Sequence, residues 1–296
     1  MALWIYVSVF AAFMQNLRFM LQKHLKATKL STGGATFSRF LFSSPLVAAG
    51  IGAYLWAGDI AVPSLSPTFF AYAVSGGIAQ ILATACVVAL FAERNFAVGI
   101  VFKKTEVLLT ALIGLVVLGE GVSAWGVVAI AIGFAGVLLL SDPPRGGARL
   151  FNKAAGFGLG SGLLFGVSAV GYRGAALQID SPDVIVRAGV SLAVATAFQT
   201  VLMAAWLAWR DRGEITRVLA SWRVSSLVGV TSMCGSFGWF VAFALQNAAY
   251  VKAVGQVELV FTFLASYFVF KERSTGKEIA GIALIVVSIL VLVASF

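Results

Sequence analysis

The sequence predicts an all-α membrane protein with ten transmembrane helices, arranged as two inverted five-helix repeats around a central cavity. Hydrophobic residues make up 60% of the 296 positions and charged residues only 11%, whereas roughly 25% of the residues in a soluble domain are charged. At roughly 20 apolar residues per span, this length accommodates about ten helices. The stretch Phe91–Glu120 has a second copy about 152 residues later, at Phe243–Glu272, which indicates two related halves.

The first repeat, residues 1–140, contains five apolar segments separated by short polar turns. The residues Asp59–Pro67 include two prolines and separate the second segment from the third, and Gly119 and Glu120 follow the fourth. The N-terminal segment has no preceding basic residues and no cleavage site of the A-x-A kind, so we predict a first span rather than a signal peptide. Spans 1 to 5 are predicted at residues 2–22, 33–56, 67–91, 97–119 and 122–140.

A polar linker loop, residues 141–153, contains two prolines and two glycines and marks the boundary between the repeats. The second repeat, residues 154–296, is interrupted by Asp180–Asp183 and by the charged run Arg210–Arg217, which we predict to be loops. Spans 6 to 10 are predicted at residues 154–177, 183–209, 224–246, 249–270 and 276–295.

Lysines and arginines concentrate in the loops that follow the odd-numbered spans. Lys23, Lys26 and Lys29 follow span 1, for example, and Arg210 and Arg212 follow span 7. The positive-inside rule then places these loops in the cytoplasm and both termini on the outer side. Because each repeat has an odd number of spans, the repeats are predicted to be inserted upside down relative to one another. The net charge of +9 is explained by topology and contact with anionic lipid, so we expect no nucleic-acid partner.

Polar residues share one helix face in spans 4 and 9. Lys103 and Glu106 lie three residues apart in span 4, and Glu258, Thr262 and Ser266 recur at helical spacing in span 9. Ionisable groups inside a span are costly, so they usually face the protein interior or a wet cavity. Two interpretations stay open. The side chains line a substrate cavity, or Lys103 and Glu106 simply pair while Glu258 bonds backbone or hydroxyl groups and holds a helix crossing.

Neutral polar residues in spans 1, 3, 6 and 8 complete the predicted cavity. Ser232, Ser236 and Trp239 occupy the relevant part of span 8, and hydrogen-bonding groups beside an aromatic ring suit a zwitterionic, partly apolar solute. The candidate cavity residues are Gln15, Asn16, Gln80, Thr84, Lys103, Glu106, Ser168, Tyr172, Trp239, Gln256 and Glu258.

Three further features have mainly structural interpretations. Arg18 lies near the cytoplasmic end of span 1, from which we expect it to snorkel. Glycines at every fourth residue from Gly158 to Gly166 form a groove for close helix approach, or a surface on which span 6 slides during gating. Glu106 and Glu258 are expected to be the only well-buried acids, which makes them the candidates for proton coupling.

No constellation typical of an enzyme is present in the sequence. There is no Walker-type phosphate loop, and the single histidine, His24, lies in a predicted loop, so a Ser/His/Asp or Cys/His set is not credible. Cys86 and Cys234 lie inside apolar segments and lack metal-ligand spacing. We therefore expect no enzymatic activity, no cofactor and no metal site.

The pattern E-x13-E occurs in both copies, as Glu106…Glu120 and Glu258…Glu272, and an apolar span that contains glycine closes each half. With this pattern the chain resembles the drug/metabolite transporter superfamily, in its ten-span EamA-type branch. It departs from the family where a proline commonly follows the first glutamate, because valine and leucine stand there in the two copies. Glu120, at the outer turn before span 5, is expected to act as a cap.

The resemblance implies that spans 3–4 and 8–9, with spans 1 and 6, enclose a cavity while spans 5 and 10 pack behind them. It implies a bacterial inner-membrane secondary transporter that exports amino acids, aromatic ones included, or similar small metabolites by alternating access. We expect the chain to work as a monomer whose partners are its solute and the bilayer. Two alternatives stay open: a passive channel, and an exchanger of sugar phosphates or nucleotide-sugars, whose site should gather several basic residues.

Overall fold

The computed structural model describes residues 3–90, 103–140, 153–261, 264 and 275–294. Within these ranges the secondary structure is helical, without strands. The helices are α1 (Leu3–Thr28), α2 (Thr32–Ala57), α3 (Pro67–Leu90), α4 (Glu106–Leu118), α5 (Ala124–Leu140), α6 (Lys153–Leu177), α7 (Val184–Arg210), α8 (Arg212–Ala220), α9 (Trp222–Leu245), α10 (Ala248–Gly255) and α11 (Gly276–Ala294). The residues named in the sequence analysis that lie outside the described ranges are Phe91, Thr262, Ser266, Glu272 and all but the last residue of the linker.

The predicted spans agree closely with the long helices. Helices α1, α2, α3, α6, α7 and α9 are long and apolar enough to cross a membrane, and α4, α5 and α11 are shorter apolar helices. Helix α1 extends beyond the predicted end of span 1 to Thr28, because the lysine-rich turn continues the helix. The count of ten spans in an inverted repeat stays a prediction, since predicted spans 4 and 9 run partly through residues outside the described ranges.

Spans 4 and 9 were each predicted as one continuous helix, and for the described residues this is wrong. Lys104 and Thr105 form a turn immediately before α4 begins at Glu106. Gln256 and Val257 form a turn after α10, and helical structure resumes at Glu258. The two breaks thus occupy equivalent places in the two copies. A carboxylate at the start of a helical segment is favourably placed beside the positive end of the backbone dipole.

The main helix-to-helix contacts between the halves have counterparts in which the equivalent helices of the two halves change places. Helix α3 packs against α6 as α9 packs against α1, and α4 packs against α6 as α10 packs against α1. Helices α5 and α11 pack against each other, as expected for spans 5 and 10. This pairing places α1, α3, α4, α6, α9 and α10 around one interior, where the predicted polar faces meet.

Close approach of α6 to its neighbours depends on glycine, as the groove prediction requires. A Cβ added at Gly162 would lie 3.0 Å from the Lys103 carbonyl oxygen, and one at Gly166 would lie 3.3 Å from the Thr110 nitrogen. A Cβ at Gly171 would lie 2.9 Å from backbone atoms of α3. The small residues therefore seat α4 and α3 directly on α6.

The charged run Arg210–Arg217 was predicted as a loop, but most of it lies in the short helix α8. Glu214 of this helix is fully buried and accepts hydrogen bonds from the Ser31 nitrogen at 2.6 Å and from Arg217 Nε at 2.7 Å. Burial alone would raise the pKa of Glu214, yet these donors prevail and lower it. The prediction that Glu106 and Glu258 are the only well-buried acids is therefore wrong.

Candidate functional site

Two small adjoining cavities lie in the interior between the halves. The first, of about 20 Å³, lies beside the two helix breaks, and the second, of about 10 Å³, lies between α1, α3, α6 and α9. Gln15, Trp239 and Lys252 line both cavities. Since about 10–15 Å³ is the minimum for one water molecule, a solute can enter only if the surrounding helices separate.

Lysines from each half contact glutamates from the other half at the first cavity. Lys252 Nζ is 2.6 Å from Glu106 Oε1, and Lys104 pairs closely with Glu258. Lys103 lies between the two carboxylates, 4.0 Å from Glu106 and 3.5 Å from Glu258. The pairs therefore connect the two halves reciprocally at the helix breaks.

These contacts decide between the two interpretations of the polar faces only in part. Lys103 and Glu106 do approach each other, as the purely structural interpretation requires. Glu258, however, pairs with Lys104 and accepts a hydrogen bond from Gln15 Nε2 at 3.1 Å, where that interpretation expected backbone or hydroxyl partners. The lysines and glutamates lie in or beside the two turns that interrupt predicted spans 4 and 9, whereas Gln15 belongs to α1. All of them line the first cavity.

Aromatic rings cover the lysines on their apolar side. Lys252 Nζ lies 5.0 Å from the centre of the Trp239 ring and 5.6 Å from that of Phe165. Lys103 Nζ lies 5.6 Å from the centre of the same Phe165 ring. The negative faces of these rings stabilise ammonium groups that have little access to water, so the lysines can remain charged in an apolar setting.

A neutral hydrogen-bond network forms the wall of the second cavity. Tyr172 donates to Gln80 Oε1 at 2.9 Å, and Gln199 Nε2 lies 3.0 Å from both Gln80 Oε1 and the Tyr172 hydroxyl oxygen. Ser168 lines the same cavity one turn from Tyr172. The network joins α3, α6 and α7 and leaves polar atoms beside the aromatic rings of Trp239, Phe240 and Phe243.

Arg39 of α2 is a buried cation that contacts the second cavity only through a hydrogen-bond partner. Its Nε donates to Ser232 at 2.9 Å, its Nη1 to Thr84 at 3.0 Å and its Nη2 to Ser236 at 3.1 Å. Ser236 itself lines the second cavity. The guanidinium therefore connects α2 with α3 and α9 through hydroxyl groups alone.

The structure brings most of the predicted cavity residues together. The residues that line one or both cavities are Gln15, Gln80, Lys103, Glu106, Ser168, Tyr172, Trp239, Gln256 and Glu258. Thr84 instead accepts from Arg39, and Asn16 lines neither cavity. The expectation that Arg18 snorkels is wrong, because Arg18 is only 2% exposed and its guanidinium carbon lies 4.3 Å from the centre of the Phe19 ring.

Three residues of this region were not among the predicted cavity residues: Arg39, Gln199 and Lys252. Arg39 satisfied the criterion that selected Lys103, since it is a charged residue in the middle of an apolar segment. Gln199 had the same kind of signal in span 7. Lys252 lies near the predicted start of span 9, and only the position of α10 shows that it reaches Glu106.

Glu120 pairs across the halves and does not act as the predicted cap. Its carboxylate accepts from Arg173 Nη2 at 2.7 Å and Nε at 3.0 Å, and Arg173 Nη1 donates to the Phe243 carbonyl at 2.7 Å. The Asn247 amide adds long contacts of 3.4 Å to the Glu120 and Gly121 carbonyls. This cluster closes the end of the bundle at the turn between α4 and α5.

The cavity linings contain charged, polar and aromatic groups side by side. No group of three or more His, Cys, Asp or Glu side chains suited to a metal ion occurs in the described part of the chain. The lining offers ammonium groups, carboxylates, amides, hydroxyls and aromatic faces. It can therefore hold a small polar solute by ion pairs and hydrogen bonds.

Comparison with known proteins agrees with this architecture. The sequence profile of the EamA-like transporter family matches residues 152–294, which comprise nearly the whole second repeat. A search of curated proteins gave no match. A protein of known crystal structure superposes with a TM-score of 0.68 at 18% sequence identity, over 99% of this chain and 96% of that chain. At this identity the likeness concerns the fold alone.

Proposed function

We propose that the protein is a secondary transporter, because its residues 152–294 match the EamA-like transporter family, part of the drug/metabolite transporter superfamily. It exports amino acids or similar small metabolites across the bacterial inner membrane by alternating access. The observation that supports this proposal best is the reciprocal pairing of Lys252 with Glu106 and of Lys104 with Glu258. A zwitterion carries both charges needed to compete with such pairs.

The cavity lining supports the choice of cargo. Amides and hydroxyls of Gln15, Gln80 and Ser168 adjoin the rings of Trp239 and other aromatic residues, a combination that suits a solute with a polar head and an apolar side chain. The paired charges lie between two broken helical segments, and such breaks commonly accompany substrate sites in secondary transporters. Rocking of one half against the other would then expose the solute to either side.

Liposomes that contain the purified protein test this function. We expect labelled amino acids to cross the membrane with saturable kinetics, and the Glu106→Gln, Glu258→Gln double variant to transport them much more slowly. Empty liposomes and liposomes with the exposed-site variant Arg212→Gln are the controls. Flux of every amino acid at the rate of empty liposomes would show that the cargo assignment is wrong, and flux that never saturates would favour a passive channel.

An exchanger of sugar phosphates or nucleotide-sugars is the second candidate. It is favoured by the gathering of Lys103, Lys104 and Lys252 around one cavity, which is the arrangement that phosphate recognition needs. It is opposed by Glu106 and Glu258, which already neutralise much of that charge. Counterflow with labelled glucose 6-phosphate distinguishes this candidate from amino-acid export.

A further inference from the structure

Arg39 differs from the lysines of the site because no acid among the described residues pairs with it. Each of Lys103, Lys104 and Lys252 contacts a glutamate, whereas Arg39 donates to three hydroxyl groups and lies 5.1 Å from the centre of the Phe40 ring. Arg39 is only 4% exposed. Hydroxyls satisfy the N–H donors, but they cannot offset the cost of keeping a positive charge away from water. Within the described part of the chain, the Arg39 charge therefore has no paired anion.

This charge lies one hydrogen bond behind the wall of the second cavity. Ser236, which accepts from Arg39, lines that cavity, and so does Trp239, three residues further along α9. The Trp239 indole nitrogen is buried and has no hydrogen-bond partner among the described residues. A hydroxyl and an indole ring thus line the second cavity, and the Arg39 guanidinium lies one hydrogen bond behind the hydroxyl. All three are hydrogen-bond donors, which is the chemistry that an oxyanion requires.

The interior as a whole is also electropositive. Among the described residues, five mostly buried cations oppose two mostly buried carboxylates at the site. The cations are Arg18, Arg39, Lys103, Lys104 and Lys252, and the carboxylates are Glu106 and Glu258. The ion pair of Arg173 with Glu120 leaves this difference unchanged. An anionic group is therefore stabilised here, and a solute that is only cationic is not.

We propose that Arg39 is the residue that recognises the cargo, by binding an oxyanion, carboxylate or phosphate, that displaces one of its hydroxyl partners. This inference rests on the proposed transport function and deepens it, because it makes an oxyanion obligatory in the cargo. The ammonium group of a zwitterion would then face Glu106 and Glu258, while its carboxylate faces Arg39. A purely structural Arg39 would hold α2 against α9 and would not discriminate between an acid and its amide.

Binding measurements on the purified full-length protein test the proposal. The probes are L-phenylalanine, L-phenylalaninamide, succinate and glucose 6-phosphate, each titrated by calorimetry and by thermal shift. We expect at least one of the three probes that carry an oxyanion to bind about tenfold or more tightly than the amide, because a charge-assisted bidentate contact is lost with the oxyanion. Preference for L-phenylalanine or succinate identifies a carboxylate, and preference for glucose 6-phosphate identifies a phosphate. If none of the three oxyanion-bearing probes bound more tightly than the amide, the proposal would be overturned without any variant.

Two variants and a matched control complete the test. Arg39→Gln is expected to abolish the preference for the oxyanion-bearing probe, and Arg39→Lys to restore it in part. Arg212→Gln removes an exposed cation of α8 that lines neither cavity, and it should keep the preference. Retention of the preference by a folded Arg39→Gln protein would also overturn the proposal. Liposome flux distinguishes failure of the proposed function from failure of the proposed role of Arg39. Probes that bind but are not transported contradict the function. Equal transport of acid and amide contradicts the role of Arg39.

Discussion

Glu106 and Glu258 each interact with a lysine from the other half of the chain. Lys252 Nζ is 2.6 Å from Glu106, and its side chain is 10% exposed. A charge at this depth is costly when it has no partner. Each carboxylate therefore stabilises the buried charge of the lysine that it contacts. The pairs fix α10 against α4 as long as no solute competes for their charges.

Removing one member of such a pair should destabilise the protein more than removing both. Glu106→Gln leaves Lys252 without its closest carboxylate and is expected to cost roughly 3–5 kcal/mol, the usual range for a buried pair that loses one partner. The double variant Glu106→Gln, Lys252→Gln should recover roughly 1–3 kcal/mol of coupling. Thermal unfolding of the wild type, both single variants and the double variant in the same detergent measures this coupling. Strictly additive losses would show that the contact has no energetic weight.

Polarity in an apolar segment was enough to find most of the candidate site, but not its contacts. Residues such as Gln80 and Glu258 stand out because buried polar groups in a span need partners. Helical spacing then gives the face that each residue occupies. It does not reveal that Lys252 reaches a carboxylate 146 positions away, because that pairing depends on how the halves dock.

At the scale of helices, the lengths of the apolar segments and the turn residues between them predicted most helix boundaries. They did not predict the two turns that interrupt spans 4 and 9. Hydropathy averages over a whole segment, so a two-residue turn at Lys104 and Thr105 leaves it apolar. Neither break contains a proline, the residue that most clearly marks an interrupted helix. Helix α8 was missed for the opposite reason, because its charges are typical of a loop until Glu214 is seen to be buried against Ser31.

The backbone at the turn before α4 packs directly against Gly162 of α6. This contact gives a prediction for the packing of α4 on α6. Gly162→Ala would place a Cβ 3.0 Å from the Lys103 carbonyl oxygen, and backbone cannot move aside as a flexible side chain can. We expect a loss of roughly 1–3 kcal/mol and weaker solute binding. Gly160→Ala on the same helix meets nothing within 4 Å and should be neutral or stabilising by about 0.5–1 kcal/mol. Equal melting temperatures for the two variants would contradict this account.

At the scale of the whole molecule, exposed tryptophans lie at both ends of the helix bundle. Trp56 and Trp125 lie at the end that contains Glu120, and Trp209 and Trp222 lie at the end that contains Ser31; all four are exposed. Aromatic belts at two levels are typical of membrane proteins, because the rings favour the interfaces with water. The apolar surface between these levels is the part that lipid would cover.

Contacts between the halves close the bundle at both ends. Ser31 and Glu214 join the halves at one end. Arg173 and Glu120 join them at the other, with side chains 13% and 20% exposed. Because successive turns alternate between the ends of the bundle, these two contacts lie on opposite sides of the cavities. Alternating access would require each to open while the other stays closed.

The ion pair of Arg173 with Glu120 should therefore control access from its own side. In a background without the native thiols (Cys86→Ser, Cys234→Ser), Ser168→Cys places a single thiol at the second cavity. Glu120→Gln should speed its reaction with a membrane-impermeant thiol reagent, added to the predicted outer side, by about 5–30-fold, the change expected if the pair contributes about 1–2 kcal/mol to closure. Asp211→Asn removes an exposed partner of Arg217 at the opposite end and should leave that rate unchanged. If Glu120→Gln reacted no faster than its parent, the pair would be a fixed brace between α4 and α6, and access from that side would depend on movement elsewhere in the bundle.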